Sequence, residues 1–372
     1  MKWSWKIAEF RGIGVYVHAT FLILIAFVVA AHWMAGHTVA KTREGVLFVL
    51  AIFGCVVLHE FGHALMAAHF GIRTRDITLL PIGGLARLER MPHDPLQELW
   101  VALAGPAVNV VIAAVLLAGL SVAASWPRLD ELGVARGGFL HRLMVVNVIL
   151  VVFNLIPAFP MDGGRVLRAI LALRMEYTRA TRIAASIGQA LALLFGLLGF
   201  LVGNPFLMFI ALFVWIGAAQ EASMVETTAS FAGVPVARAM ITQFETLAPE
   251  DRLAQAVDKI LSGSQQDFPV VADGRVVGIL TRQDLLVALA RHGLEVPVAE
   301  VMQSRFETAE ATEMLDAAFR RLQGCECHTL PVLHRGELVG LLTMDNLGEF
   351  VAIRAALEAA ASQTPPRTVP AA

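Results

Sequence analysis

A chain of 372 residues with 57% hydrophobic and only 16% charged residues is too apolar for an ordinary soluble protein, since soluble domains average about 45–50% apolar and about 25% charged. Its formal net charge of −2 removes any global electrostatic case for nucleic-acid binding. Its three cysteines, Cys55, Cys325 and Cys327, are too few for a disulfide framework.

The chain opens "MKWSWKIAEFRGIGVYVHATFLILIAFVVAAHWMAG", basic residues followed by an apolar run in the manner of a signal peptide. The charged, Trp-containing lead is long, however, and the Ala-rich end runs into His32 and Trp33 with no clear cleavage site. The reading is a retained transmembrane helix. Apolar segments of spanning length lie near 15–34, 45–69, 98–124, 139–160, 184–202 and 205–221. "LVGNPF" separates the last two with a turn. Six spans put both ends of the membrane part on one side.

Charge selects the side. Segment 161–183 carries Arg165, Arg168, Arg174, Arg179 and Arg182, and segment 71–97 carries Arg73, Arg75, Arg87 and Arg90. The opposite connections hold Lys41 and Arg43, then Arg128 and Arg136, then none. The positive-inside rule predicts cytoplasmic arginine-rich loops and termini in a multi-pass protein of the cell membrane.

The second span contains His59-Glu60-Phe61-Gly62-His63. Residues four apart share a helix face, so both imidazoles can reach one ion, with Glu60 beside it as a base for water. Ionisable groups in a spanning helix are rare and usually functional. His69 lies six residues beyond His63 and off its face, and His18 reads as an interfacial residue at the start of the first span, so both stay outside the metal site. Ile77–Arg90, "ITLLPIGGLARLER", has β-favouring residues around Pro81 and a Gly pair. A catalytic zinc commonly takes three protein ligands. "NLIPAFPMDGGRVLRAI", from Asn154, breaks the fourth span with two prolines and a Gly pair and offers Asp162 as the third. Broken backbone at membrane depth belongs where it lines a polar cavity.

HExxH in an early span followed by N-x-x-P-x-x-P-x-D-G-G resembles the site-2 protease family of intramembrane zinc metalloproteases, over roughly residues 10–220. The resemblance implies zinc held by His59, His63 and Asp162, with Glu60 as catalytic base. "AGPAVN", Ala104–Asn109, matches a family element in the third span, whereas Met161 stands where the family commonly has Leu. Asn154 is the first candidate for an oxyanion donor and Asn109 the second. Ile77–Arg90 resembles the family's membrane-associated β-hairpin, whose edge could accept a membrane-spanning protein substrate as an added strand.

After about residue 230 charges return, and an internal repeat appears with an offset of 62 residues. "VARAMITQFETL" from Val236 answers "VAEVMQSRFETA" from Val298, and "FPVVADGRVVGILTRQDLL" from Phe268 answers "LPVLHRGELVGLLTMDNLG" from Leu330. "VVGILT" and "LVGLLT" make the copies resemble tandem CBS domains, a Bateman module. That resemblance implies an adenine nucleotide (ATP, ADP or AMP) between the repeats, with the carboxylate three residues after the Thr on the ribose. The first copy supplies Thr281 and Asp284. The second has Thr343 but Asn346, with Asp345 one place early, which favours a single competent site dependent on Asp284. A purely dimerising module is the alternative. Cys325-Glu326-Cys327 is too short for a zinc knuckle and reads as structural.

The fold class is therefore a polytopic α-helical membrane protein plus an α+β tandem CBS module. The domains are 1–225, 232–292 and 296–353, with a coreless, disordered tail over 358–372. The rival is a CBS-gated cation transporter or channel, which should show repeat symmetry in its membrane half, and none is evident. A non-catalytic adaptor would have no need of HExxH together with Asp162. Nothing in the chain names the substrate.

Overall fold

The computed structural model describes residues 3–81, 83–89, 92, 94–122, 137–325, 327 and 329–363. The chain divides into two compact units, Met1–Val225 and Glu226–Ala372.

The first unit begins with a hairpin, β1 (Ser4–Phe10) and β2 (Ile13–His18). The first helix, α1, is only Ala19–Met34. The span expected from residue 15 thus starts later. Its leading residues alternate β-favouring side chains and pair in parallel with β3 (Thr74–Leu80), Gly14 opposite Asp76 through Val17 opposite Leu79. His18 is the N-cap of α1, taking the Thr20 N–H at 3.3 Å on Nδ1. β3 pairs antiparallel with β4 (Gly83–Leu88), which confirms the second hairpin and gives a sheet of order β1-β2-β3-β4. β4 is an edge strand. Arg90, the last residue of the expected hairpin segment, lies outside the described residues, as do Arg128 and Arg136.

The remaining helices are α2 (Val39–His69), α3 (Pro95–Val122), α4 (Phe139–Asn154), α5 (Asp162–Ala172), α6 (Tyr177–Val202) and α7 (Pro205–Ser230). Among the described residues, α2, α3, α6 and α7 are long and apolar enough to cross a membrane, whereas α1 and α4 are apolar but have 16 residues each. At about 1.5 Å per residue such a helix covers about 24 Å of a roughly 30 Å hydrocarbon core. The expected fourth span ends at Asn154, because Pro157 and Pro160 interrupt the helix before α5 restarts at Asp162. Asn204 Oδ1 accepts the N–H groups of Phe206 (3.0 Å) and Leu207 (3.3 Å), opening α7 at the turn anticipated there.

The second unit carries the repeat. Its first copy contains α8 (Leu253–Ser262), β5 (Phe268–Ala272), β6 (Arg275–Leu280) and α9 (Arg282–His292). The second contains β7 (Ala309–Glu310), α10 (Leu315–Gly324), β8 (Thr329–His334), β9 (Glu337–Thr343) and α11 (Met344–Gln363). The copies exchange their leading segments. Val236 and Ala239 pack in the core of the second copy, with Leu315, Leu330 and Leu342, while Val298 packs in that of the first, with Leu253, Phe268 and Leu280. Ile241 therefore pairs with Leu341 through N–H···O bonds of 2.8 and 2.9 Å, and Gln303 pairs with Ile279 at 2.9 and 3.1 Å. This crossing explains the glycine in each "VGxLT"-type run: a Cβ on Gly340 would sit 2.9 Å from Ile241 O, and one on Gly278 3.1 Å from Gln303 O. The sequence boundaries 232–292 and 296–353 consequently do not delimit separate cores. α11 continues to Gln363, past residue 358 where the disordered tail was expected, and residues 364–372 lie outside the described residues.

Candidate metal centre and a cavity in the second unit

α2 presents His59 and His63 on one face, as their spacing requires, with ring centroids 4.8 Å apart. Asp162 reaches them from the first turn of α5, and all three are buried, at 6%, 5% and 7% exposure. His59 Nε2 and His63 Nε2 lie 3.1 Å apart, and Asp162 Oδ2 is 3.2 Å from each. Ligands about 2.0–2.1 Å from a tetrahedral zinc lie roughly 3.3 Å from one another, so this triangle has the size of one face of a zinc site.

The donor set also has the right chemistry. His63 Nδ1 donates to the Val101 carbonyl at 2.7 Å, and His59 Nδ1 contacts Asn109 Oδ1 at 2.6 Å. With the Nδ1 protons engaged, two Nε2 lone pairs and a carboxylate oxygen converge on one point. Such a convergence is repulsive unless a cation neutralises it. Space is reserved for it as well. An added Cβ on Gly105 would lie 2.1 Å from His63 Nε2 and 2.7 Å from His59 Nε2, so the "AGP" of α3 can carry no side chain there. The residues present fit zinc.

Glu60, next to His59 on α2, also meets the sheet: the Ala86 N–H of β4 donates to Glu60 Oε2 at 3.2 Å. Asn154 is the last residue of α4, half-buried, and its side chain has no hydrogen-bond partner among the described residues. Asn109 differs from its expected role as an oxyanion donor. It is fully buried, its oxygen faces His59, and its amide donates to Asn147 Oδ1 at 2.9 Å. Its groups are already engaged with His59 and Asn147. His18 and the exposed His69 stand outside the cluster.

Sequence reading missed two features. Asn147, fully buried, donates to the Leu143 carbonyl at 2.8 Å and holds Asn109; its signal was a polar amide in an apolar span. Arg168, counted above with the loop arginines, is completely buried and ion-paired to Glu98 and Glu221. Glu98 in the third apolar segment was the available signal.

The second unit has a cavity of about 850 Å³ whose walls include Asp267, Thr281, Arg282, Thr343, Asp345 and Asn346. Asp284, expected there with Thr281, is not among the lining residues. Its Oδ2 accepts Thr281 Oγ1 at 2.6 Å and Gln303 Nε2 at 2.7 Å. The exchanged segment brings Gln303 onto the carboxylate. Asn346 Oδ1 is buried without a partner among the described residues. Cys327 also lines the cavity, and a hydrogen bond with Cys325 (Sγ–Sγ 3.0 Å) together with burial holds its thiol above the usual range.

Buried metal-type ligands within a bundle of membrane-length helices, joined to a repeated α+β unit, define a membrane metallopeptidase with a paired accessory module. Residues 47–132 and 129–195 match Peptidase family M50, and residues 236–291 and 298–352 each match the CBS domain. A zinc metalloprotease of Methanocaldococcus jannaschii is 31% identical over 347 residues, covering 93% of this chain and 96% of that protein. Stage IV sporulation protein FB of Bacillus subtilis is 28% identical over 183 residues, covering 49% and 56%. A solved site-2 protease from Methanocaldococcus jannaschii is 37% identical, with a TM-score of 0.45, covering 59% of this chain and 95% of that one. The chain belongs to peptidase family M50, the site-2 protease family of zinc metalloproteases, and carries a tandem CBS pair.

Proposed function

We propose that this protein is an intramembrane zinc endopeptidase that cuts membrane-spanning protein substrates. The observation that carries the reading is the convergence of His59 Nε2, His63 Nε2 and Asp162 Oδ2 at 3.1–3.2 Å. These three residues would hold the metal. When bound, zinc supplies Lewis acidity to the peptide carbonyl and to water. Glu60 takes the proton from the attacking water and returns it to the leaving amine. Asn154, with a free amide, donates to the developing oxyanion. A helical substrate must unwind before its backbone is accessible, and the free edge of β4, whose Ala86 contacts Glu60, accepts it as an added strand. α1 and α4 complete six spans, and the arginine-rich connections keep both termini and the CBS pair in the cytoplasm.

The test is Glu60→Gln. It removes the base and no ligand, so zinc content should stay at the wild-type level while cleavage disappears. His59→Ala and Asp162→Ala should lose zinc as well. Full proteolysis by pure Glu60→Gln protein would refute the mechanism. Comparing membrane fragments from cells with wild-type and Glu60→Gln protein would identify substrates.

The CBS pair is read as binding an adenine nucleotide that modulates proteolysis. The cavity of about 850 Å³ is large enough, and the unpartnered Asn346 Oδ1 is an acceptor for a ribose hydroxyl or an adenine amine. To regulate, the ligand must bind active and inactive states unequally. Calorimetry of the full chain with ATP, ADP and AMP tests this: Asn346→Ala should weaken binding more than Asp284→Ala. No binding of any of the three would leave the module as a dimerisation or substrate-docking unit.

A further inference from the structure

Among the described residues of the first unit, the most heavily buried charge lies outside the candidate ligand cluster. Arg168, on α5, is 0% exposed, and Glu98, on α3, is 2% exposed. Arg168 Nε and Nη2 donate to Glu98 Oε1 at 2.8 and 2.5 Å, and Nη1 donates to Glu221 Oε1 of α7 at 2.5 Å. The guanidinium also packs 5.0 Å from the ring centroids of Phe159 and Tyr177. One side chain thus ties α5 to α3 and α7, and through Phe159 to the turn preceding Asp162.

The positions of these contacts relate them to the metal centre. Asp162 is the first residue of α5, six before Arg168 on the same short helix. Glu98 is three residues before Val101, whose carbonyl holds His63 Nδ1 at 2.7 Å. The Arg168–Glu98 pair therefore links the element carrying the carboxylate ligand to the element orienting a histidine ligand. An 11-residue helix is too short to hold its own place, so tertiary contacts must set where α5 lies. A buried ion pair is seldom justified by net stability, since desolvation offsets most of the attraction. Geometric definition is the better account of its presence, and a forked guanidinium supplies that more rigidly than an ammonium.

We propose that Arg168 is a positioning residue for the metal site: clamped between Glu98 and Glu221, it sets the distance of Asp162 from the His59/His63 pair. The proposal rests on the reading of these three residues as zinc ligands. Its test is zinc affinity, by chelator competition, of the purified full chain in detergent, alongside the thermal stability of the metal-free protein. His63→Ala is the control. Arg168→Met should weaken zinc about 10–100-fold, the range for groups that support metal ligands. Arg168→Lys should fall in between, and Glu98→Gln should weaken zinc more than Glu221→Gln, because only Glu98 shares a helix with the acceptor of His63.

A merely structural role would lower melting temperatures and leave the zinc affinity of the folded protein unchanged. If Arg168→Met does not fold, Arg168→Lys and Glu98→Gln carry the comparison. Wild-type zinc affinity in both of these, with zinc lost in His63→Ala, would overturn the clamp alone. Zinc retained by His63→Ala would overturn the ligand reading and the clamp with it.

Discussion

Asn109→Ala probes the proposed metal centre without touching a proposed ligand. In the wild type His59 Nδ1 lies 2.6 Å from Asn109 Oδ1, and the Asn109 amide is held by Asn147 at 2.9 Å, so the orientation of the asparagine is dictated from behind. Removing the side chain leaves the Nδ1 proton of a buried ring without an acceptor, which costs about 1–3 kcal/mol. The ring can escape by moving its proton to Nε2, but that consumes the lone pair the metal needs. Loss of such a supporting contact typically weakens metal binding about 10–100-fold. At about 1.4 kcal/mol per tenfold this is roughly 1.4–2.8 kcal/mol, so the two routes agree. The assay is competition with a chromophoric chelator on purified protein, with melting temperature as a separate readout. Asn109→Asp retains an oxygen towards His59 and should hold zinc more tightly than Asn109→Ala. Wild-type affinity in the alanine variant, or equal weakness in the aspartate variant, would refute the reasoning.

Gly105→Ala should abolish zinc binding even though alanine favours a helix interior by about 1 kcal/mol, because its Cβ would lie 2.1 Å from His63 Nε2; metal analysis of the purified variant checks this. Ala86→Pro removes the N–H that meets Glu60 at the edge of β4, and should lower kcat/KM for a membrane-spanning substrate while leaving zinc content unchanged. The Cys327 thiol, its pKa raised by the Cys325 hydrogen bond and by burial, should resist alkylation at neutral pH and react on unfolding, as mass spectrometry would show. A thiol whose folded pKa is raised stays protonated in the folded state while the unfolded one ionises. The stability it contributes is therefore complete below about pH 8.5 and declines as pH rises above that; thermal melts of Cys327→Ala against wild type across that range should converge at high pH.

The helix that carries HExxH was legible from the sequence because its information is local. His59 and His63 share a face of α2 through helix geometry alone, and the prolines and glycines after Asn154 announced a break at which Asp162 could turn inward. The 62-residue repeat needed only self-comparison. What tertiary structure decided involves partners far apart along the chain. Residues 13–18 carry β-favouring side chains that also suit an apolar span, and the pairing with β3 alongside decides that they form a strand and not the start of the helix. Arg168 looked like a loop cation until Glu98 and Glu221 were found enclosing it. Asn109 looked like an open donor until His59 and Asn147 engaged both ends of its amide. Asp284 matched a ligand-binding pattern, yet the exchanged segment of the other repeat brings Gln303 onto its carboxylate. In each case the residue type set what the side chain could bond to, and packing between distant elements determined which partner it met, because a buried polar group bonds whatever the fold brings within reach.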